Sequence, residues 1–167
     1  MKNLEDIYDY FDNATTILIV NKNDSRILSS HLTDYIYKHS KLQKYEIDKC
    51  KGLLKRLEKY TSRIIKFNFD FSKFQISSSN ARIDNDLGDL ILLSYNNNLK
   101  LLFEYDLPIT YGINRIPSMY RFDLIILVKD NQAIILKSRM YRDGDIINLS
   151  SLLRKIKLDK LSNYKES

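Results

Sequence analysis

Four basic side chains recur at every fourth position in one segment of the chain. Lys51, Lys55, Lys59 and Arg63 lie in a stretch, from about Tyr45 to Arg63, whose apolar residues predict a helix. Side chains four residues apart share one face of a helix, so these four would form a basic stripe. Such a stripe can follow a phosphate backbone. More often it is the solvated side of an amphipathic helix.

The histidines and the cysteine give little support to metal or nucleophilic chemistry. His31, His39 and Cys50 have none of the spacings that are common in metal sites. No further motif supports a Ser-His-Asp or Cys-His mechanism. We therefore predict no catalytic residue, no metal and no cofactor. Close carboxylate pairs fall in segments typical of turns, where solvation and capping explain them; they are Asp84 with Asp86 and Asp143 with Asp145.

The turn after the first predicted strand lies where nucleotide-binding proteins hold a phosphate loop. The motif G-x-x-x-x-G-K-[ST] supplies glycines that let backbone amides approach phosphates, a lysine for their charge and a hydroxyl for magnesium. Residues 21–28 read NKNDSRIL and lack these groups at the matching positions, and Asp24 would repel a phosphate. We therefore predict no nucleotide hydrolysis at this turn.

The segment from Phe122 to Arg139 raises a metal-dependent alternative. Nucleases of the restriction-endonuclease type, including archaeal Holliday junction resolvases, carry an Asp on one strand and Glu-x-Lys on the next. Asp123 and Lys137 resemble the first and last of these residues, but the position of the Glu is Ile135. The missing carboxylate removes a metal ligand, so the catalyst would be incomplete. A degenerate nuclease that recruits a carboxylate from elsewhere stays an alternative.

The elements that must position these residues begin with a helix and a strand. Residues 3–12 predict a short amphipathic helix, and Thr15–Val20 predicts a strand that is buried on both faces. A further helix is predicted over 27–36, with Asp24 or Ser25 as its N-cap. The order of strand, polar turn and helix is typical of an α/β unit.

The rest of the chain supplies further strands and a C-terminal helix. The pattern first predicts a half-exposed strand over 64–76 and a loop over 77–89. Two strands follow at 90–93 and 99–105, around the turn 96–98, and a hairpin is formed by 122–128 and 133–136. The chain then predicts a helix from Ser150 to about Leu161 and a frayed tail over 162–167. Together these elements predict one α/β domain over residues 1–167, with a central mixed sheet flanked by helices.

Composition narrows the class of protein. A chain of 167 residues that is 44% hydrophobic is long enough for one core, and this apolar content excludes a disordered chain. No apolar run approaches the roughly 18 residues of a membrane helix, so we expect a soluble protein without membrane contact. The acidic start and the single cysteine favour an intracellular location, cytoplasmic or nuclear. Abundant Ile, Asn, Lys and Tyr are typical of AT-rich coding DNA, as in many viruses.

Charge favours an anionic partner. The chain has 27 Lys and Arg against 21 Asp and Glu, a net charge of +6. The excess lies in the C-terminal part, where the segment from Arg115 onward has eleven basic and six acidic residues. This asymmetry is consistent with binding to nucleic acid or to an acidic patch on another protein.

Two segments resemble parts of the RecA-like core of the recombinases and their paralogues. Residues 15–36 resemble the strand, phosphate loop and helix that open that fold, with the loop eroded. Residues 107–149 resemble its closing part, in which a DNA-facing loop precedes a strand that begins near an Asp, here Asp123. The hairpin that follows ends in Lys137-Ser138-Arg139 and a turn with Gly144. The middle of the chain fits less well, because the helix expected before the strand at 99–105 is missing from the pattern.

The resemblance implies a reduced RecA-like fold and a non-catalytic paralogue that pairs with another subunit and contacts DNA. The residues equivalent to the DNA-facing loop are Tyr111, Asn114, Arg115, Tyr120 and Arg121. Their cations suit phosphates and their aromatic rings suit bases, a mixture that single-strand binding uses. The alternative for this loop is a pair of buried tyrosines beside exposed arginines.

Our leading hypothesis is a nucleic-acid-binding accessory protein without catalysis, for which single-stranded DNA is the favoured ligand. It would act with a protein partner, either a RecA-like paralogue or a second copy of itself, in DNA recombination, repair or replication. The alternatives are a protein scaffold subunit without nucleic-acid contact, and the degenerate nuclease described above.

Overall fold

The computed structural model describes residues 1–22, 24–74, 83–139 and 143–166. The strands in these residues are β1 (Thr16–Asn21), β2 (Gln43–Ile47), β3 (Arg63–Asp70), β4 (Leu99–Asp106), β5 (Leu124–Lys129), β6 (Gln132–Lys137) and β7 (Ile146–Asn148). The α-helices are α1 (Ile7–Asp12), α2 (Arg26–His39), α3 (Leu53–Leu57), α4 (Ile83–Asn97) and α5 (Ser150–Glu166). Short 3-10 turns lie at Leu4–Asp6, Phe71–Lys73, Ile113–Arg115 and Met119–Arg121.

The strands form one mixed sheet in the order β2-β3-β4-β1-β5-β6-β7. The first five strands in this order are parallel, and β6 and β7 continue the sheet by antiparallel pairing. The chain leaves the centre of the sheet after β1, crosses to the far edge at β2 and returns through β3 to β4, beside β1. The carboxyl ends of the parallel strands therefore meet at one edge of the sheet and their amino ends meet at the other.

Helices cover both faces of the sheet. Ile17 and Ile19 of β1 belong to an apolar cluster with α1, α2 and α5. Leu18 and Val20 point to the opposite face and belong to a cluster with α3 and α4. All six residues of β1 are buried, as the β-branched sequence predicts for a strand with both faces covered. The structure therefore confirms the predicted α/β fold with a mixed sheet flanked by helices.

The predicted hairpin is confirmed as β5 and β6. Asp130 and Asn131 between the two strands have φ angles of 51° and 62°. Two successive residues with positive φ form the turn whose twist matches that of paired antiparallel strands, and Asp and Asn tolerate this conformation. The predicted C-terminal helix is also present, and it continues to Glu166, beyond the expected end at Leu161. The frayed tail over 162–167 stays a prediction.

The predicted helix from Tyr45 to Arg63 is wrong. Its first residues belong to β2, its centre is the five-residue helix α3, and Arg63 begins β3. Gly52 has a φ of 66° and Ser62 a φ of 51°, so the backbone is left-handed on both sides of α3 and cannot continue a helix. Short apolar runs fit either a helix or a strand. In this segment, the pairing of β2 with β3 selects the strand conformation.

The basic stripe on that helix is therefore also wrong. Lys55 lies on α3, whereas Lys51 and Lys59 lie in the turns before and after it. Arg63 is on β3, where its guanidinium carbon lies 4.6 Å from the centre of the Tyr60 ring. The three lysines are exposed, but they do not share one helical face.

The predicted strand at 90–93 and its turn at 96–98 are wrong as well. Leu87, Leu90 and Ser94 have no exposed surface and lie on one face of α4, at helical spacing. Asn98, with a φ of 54°, separates α4 from β4. The loop predicted over 77–89 is helical from Ile83 onward, and its earlier residues lie outside the described part of the chain. A helix thus precedes β4, where the sequence pattern showed none.

Candidate nucleic-acid interface

The segment 107–122 connects β4 to β5 and carries the residues predicted to face DNA. It leaves β4 at the carboxyl edge of the sheet and reaches the amino edge, where β5 begins. Two apolar anchors hold it, because Ile116 and Phe122 are buried in the cluster that contains α4. The 3-10 turn at Ile113–Arg115 comes before the first anchor and the turn at Met119–Arg121 lies between the two. The side chains of Tyr111 and Tyr120 in this segment are exposed.

The predicted interface residues lie at opposite edges of the sheet. The Lys22 Nζ donates to the backbone oxygen of Tyr111 at a distance of 3.0 Å, just beyond the carboxyl end of β1. The Thr16 Oγ1 donates to the backbone oxygen of Arg121 at 3.2 Å, at the amino end of β1. Lys22 follows Thr16 by six residue steps of extended chain, which corresponds to about 20 Å. The segment therefore contributes to two surfaces rather than one.

The first surface, the carboxyl-edge patch, consists of Lys22, Tyr111, Asn114 and Arg115. The guanidinium carbon of Arg115 lies 5.6 Å from the centre of the Tyr111 ring, a distance typical of a cation–π contact. All of these side chains except Lys22 are exposed. Ile109 beside them is 69% exposed, so the patch has an apolar rim.

Acidic residues also lie at the carboxyl edge of the sheet. The Asp106 Oδ1 accepts a hydrogen bond from Asn21, and the Asp106 Oδ2 lies 3.9 Å from the Arg26 guanidinium. Asp70 accepts a hydrogen bond from the Asp106 backbone nitrogen at 2.6 Å. These carboxylates lie at the ends of β3 and β4, next to the turn that the RecA-like resemblance would equate with a phosphate loop. Their charge opposes phosphate binding at this position.

The second surface, the amino-edge patch, consists of Tyr95, Tyr120, Arg121, Lys137 and Arg139. Tyr120 is 67% exposed and its ring centre lies 5.2 Å from the Arg121 guanidinium carbon. Tyr95 is 52% exposed and its ring centre lies 5.8 Å from the Arg139 guanidinium carbon. The Arg139 Nη2 also donates to the Tyr95 hydroxyl. Two aromatic rings thus lie beside two guanidinium groups at one edge of the sheet.

Lys137 positions the loop that carries Tyr120. Its Nζ donates to the backbone oxygen atoms of Met119 at 3.4 Å and of Tyr120 at 3.3 Å. These two carbonyls belong to the 3-10 turn at Met119–Arg121, whose preceding residue Ser118 has a φ of 56°. The lysine that the nuclease alternative needs for catalysis is therefore bound to this turn.

Asp123 has structural partners as well. Its Oδ2 accepts hydrogen bonds from the backbone nitrogen atoms of Thr15 at 3.0 Å and Thr16 at 3.4 Å, and it lies 2.9 Å from the Arg139 Nη2. The carboxylate thus joins the start of β1 to the end of the hairpin. Ile135, at the position of the nuclease Glu, is fully buried. Within the described residues, no group of three or more His, Cys, Asp or Glu side chains could hold a metal ion.

The two close carboxylate pairs lie in a helix and in hydrogen-bonded segments. Asp86 lies on α4 and is buried, and Asp84 lies on the same helix rather than in a turn. Asp145 accepts a hydrogen bond from the Tyr10 hydroxyl, and Asp143 accepts one from the Ser138 backbone nitrogen at 3.2 Å. The prediction that these residues lie in turns is therefore wrong for the first pair.

Sequence reasoning missed two contributors to the amino-edge patch. Tyr95 follows the predicted strand at 90–93, and only its place in the last turns of α4 brings it beside Arg139. Gly88 lies in the loop predicted over 77–89, but in the structure it is on α4, where a Cβ atom would lie 3.1 Å from the Arg121 Nη1. The helical spacing of Leu87, Leu90 and Ser94 is the signal that could have identified α4.

The comparisons with known proteins give no family. No family model and no curated protein matches the chain. One similar solved structure, from Pyrococcus horikoshii OT3, is described as a structural study of Project ID PH0250. The two chains are 14% identical, the alignment covers 88% of this chain and 98% of the other, and the TM-score is 0.42. A likeness at this level carries no argument about function. Among the described residues, no helix has the length and apolarity needed to cross a membrane.

Proposed function

We propose that this protein binds single-stranded nucleic acid, without catalysing a reaction on it, as an accessory to DNA recombination, repair or replication. The observation that carries the proposal is the pair of exposed tyrosines at the amino edge, each beside an arginine. Tyr120 with Arg121 and Tyr95 with Arg139 provide rings for bases and cations for phosphates within one patch.

Stacking and charge explain why such a patch favours a single strand. The unpaired bases of a single strand expose their faces to aromatic side chains, and each stacked base contributes about 1–3 kcal/mol. Guanidinium groups add phosphate contacts that release counterions, so the affinity falls with salt. A base pair inside a duplex hides its faces, so only the charge contribution remains for double-stranded DNA.

The RecA-like resemblance supports the setting of recombination, repair or replication. The opening segment forms the strand β1, a turn and the helix α2, as the resemblance requires. The closing segment forms a loop, the strand β5 and a hairpin that ends in Lys137 and Arg139. The helix α4 before β4 supplies the element that the sequence pattern lacked in the middle of the chain. These elements favour a non-catalytic member of the RecA-like class.

The carboxyl-edge patch supports the part of the proposal that concerns a protein partner. Ile109, Tyr111 and Ile113 project apolar surface from one short stretch, and Arg115 lies beside them. Exposed apolar clusters with polar neighbours are typical of protein interaction sites. The proposed partner is a RecA-like paralogue or a second copy of this chain.

Fluorescence anisotropy with labelled single- and double-stranded oligonucleotides at two salt concentrations tests the proposal. We expect tighter binding of the single strand, an affinity that falls with salt, and weaker binding after Arg121→Glu. Lys155→Glu, which reverses an exposed charge on α5, serves as the matched control and should have a smaller effect. Absence of binding at either salt concentration would contradict the proposal and favour the protein scaffold.

A further inference from the structure

A polar cleft adjoins the amino-edge patch. It has a volume of about 340 Å³ and lies between the end of α1 and the last turn of α4. The cations Lys100 and Arg139 line it, together with the carboxylate of Asp12, the amides Asn13 and Asn98, and Tyr95. This combination of two cations with amide groups provides hydrogen-bond donors for an anion.

The side chain of Lys100 lines this cleft and is bound to the end of α1. Its Nζ donates to the backbone oxygen of Phe11 at 2.7 Å and lies 4.3 Å from the centre of the Phe11 ring. Within the described residues, it forms a salt bridge with none of the carboxylates. Burial lowers the pKa of Lys100, an effect that Asp12 opposes and Arg139 reinforces. A cation that is desolvated without an ion-pair partner is costly, and a bound anion would offset that cost.

Arg139 supplies the second cation of the cleft. Its Nη2 contacts Asp123 and the Tyr95 hydroxyl. A guanidinium group has five N–H donors in a planar fork, more than these two contacts use. Arg139 can therefore keep its structural contacts while it donates to an oxygen atom of a ligand.

We propose that this cleft binds the terminal phosphate of a single nucleic-acid strand. This inference rests on the proposed function and deepens it by naming the group that is recognised. A phosphomonoester carries about 1.5 to 2 negative charges at neutral pH, more than the single charge of an internal phosphodiester, and so interacts more strongly with Lys100 and Arg139. Tyr95 beside the cleft offers its ring to the terminal base, and the strand then continues over Tyr120 and Arg121.

The test compares oligonucleotides of one sequence that carry a 5′-phosphate, a 3′-phosphate or hydroxyl groups at both ends. For the wild-type protein, we expect one phosphorylated form to bind about fivefold more tightly or better than the hydroxyl form. Lys100→Met keeps the apolar stem and removes the charge, so it should abolish this preference by weakening the binding of the phosphorylated form more than the binding of the hydroxyl form. Lys155→Met, on the exposed face of α5, is the matched control and should retain the preference.

A second variant keeps the inference testable if Lys100→Met does not fold. Asn98→Asp places a negative charge in the cleft. Residue 98 has a positive φ, which asparagine and aspartate both tolerate. The variant should also abolish the preference for a terminal phosphate. Melting curves by circular dichroism report whether each variant is folded.

The outcomes separate this inference from the proposed function. Equal affinity of the wild-type protein for the phosphorylated and hydroxyl forms would overturn the inference and leave the proposed function standing. A preference that persists in folded Lys100→Met and Asn98→Asp would overturn the assignment to this cleft. Absence of binding to all the oligonucleotides would overturn both proposals.

Discussion

Arg121 packs across Gly88, so that a Cβ atom at the glycine would lie 3.1 Å from the guanidinium Nη1. The glycine lies within α4 and the arginine lies at the end of the segment 107–122. The helix therefore supports the guanidinium group that accompanies Tyr120 in the amino-edge patch. This support depends on a residue without a side chain in the interior of a helix.

Gly88→Ala should weaken nucleic-acid binding without lowering the stability of the protein. Alanine favours a helix over glycine by about 1 kcal/mol, and the flexible end of Arg121 can move away from the added methyl group. We therefore expect a melting temperature equal to or above that of the wild type, together with weaker binding of a single-stranded oligonucleotide. Circular dichroism and anisotropy measure the two effects. A variant that binds as tightly as the wild type would show that the position of Arg121 against α4 is unimportant.

Asp123→Ala should destabilise the protein. The substitution leaves the backbone amides of Thr15 and Thr16 without their carboxylate acceptor and removes the ion pair with Arg139. Loss of such contacts costs about 1–3 kcal/mol. Asp123→Asn retains an acceptor oxygen and should cost less. Urea denaturation measures both free energies of unfolding, and equal stability of all three proteins would contradict the structural role of Asp123.

Glu104→Gln should change the pH dependence of stability. Burial raises the pKa of Glu104 above its ordinary value of 4.5, whereas a hydrogen bond from Thr33 and the charge of Lys66 oppose this effect. One carboxylate oxygen of Glu104 is buried without a hydrogen-bond partner among the described residues. The folded state therefore favours the protonated side chain. Its contribution to the free energy of unfolding is fully present below pH 4.5 and is lost as the pH rises through the folded-state pKa.

The glutamine variant removes this titration. We expect the free energy of unfolding of the variant to fall less between pH 4.5 and pH 8 than that of the wild type. At pH 8 the variant should be more stable than the wild type by about 1 kcal/mol. Chemical denaturation at several pH values measures the two profiles. Parallel profiles for the two proteins would mean that Glu104 has no raised pKa in the folded state.

The lysines around α3 should matter little for nucleic-acid binding. Lys55 and Lys59 do not share a helical face with a wider stripe, because α3 ends at Leu57 and Lys59 lies in the turn after it. Reversal of both charges should therefore weaken binding less than Arg121→Glu alone. Anisotropy at one salt concentration compares the variants. A larger loss of affinity in the double variant would show that these lysines bind nucleic acid, as the sequence pattern indicated.

The sequence predicted the elements whose patterns are unambiguous. The β-branched residues in the run of β1 favour a strand buried on both faces, and the polar turn at Asp130 and Asn131 favours the β5–β6 hairpin. The chain from β2 to α4 could not be predicted in the same way. Its apolar runs are short enough to fit a helix or a strand, and the left-handed residues Gly52 and Ser62 interrupt them.

The candidate site was predicted only in part. The tyrosines and arginines of the segment 107–122 were identified from their types, but the sequence does not show that a buried anchor, Ile116, divides them between two edges. Tyr95 and Lys100 join the amino edge through α4 and β4, 25 and 20 residues upstream of Tyr120. Their contribution depends on tertiary packing, and no local pattern indicates it.

Photo-crosslinking of a single-stranded oligonucleotide that contains 5-iodouridine, followed by mass spectrometry of the crosslinked peptides, tests the central claim most directly. The claim is that a single strand binds at the amino-edge patch with its bases on Tyr95 and Tyr120. We predict crosslinks at one or both of these tyrosines that disappear when an unlabelled strand competes. Crosslinks confined to α3, α5 or the carboxyl-edge patch would contradict the account.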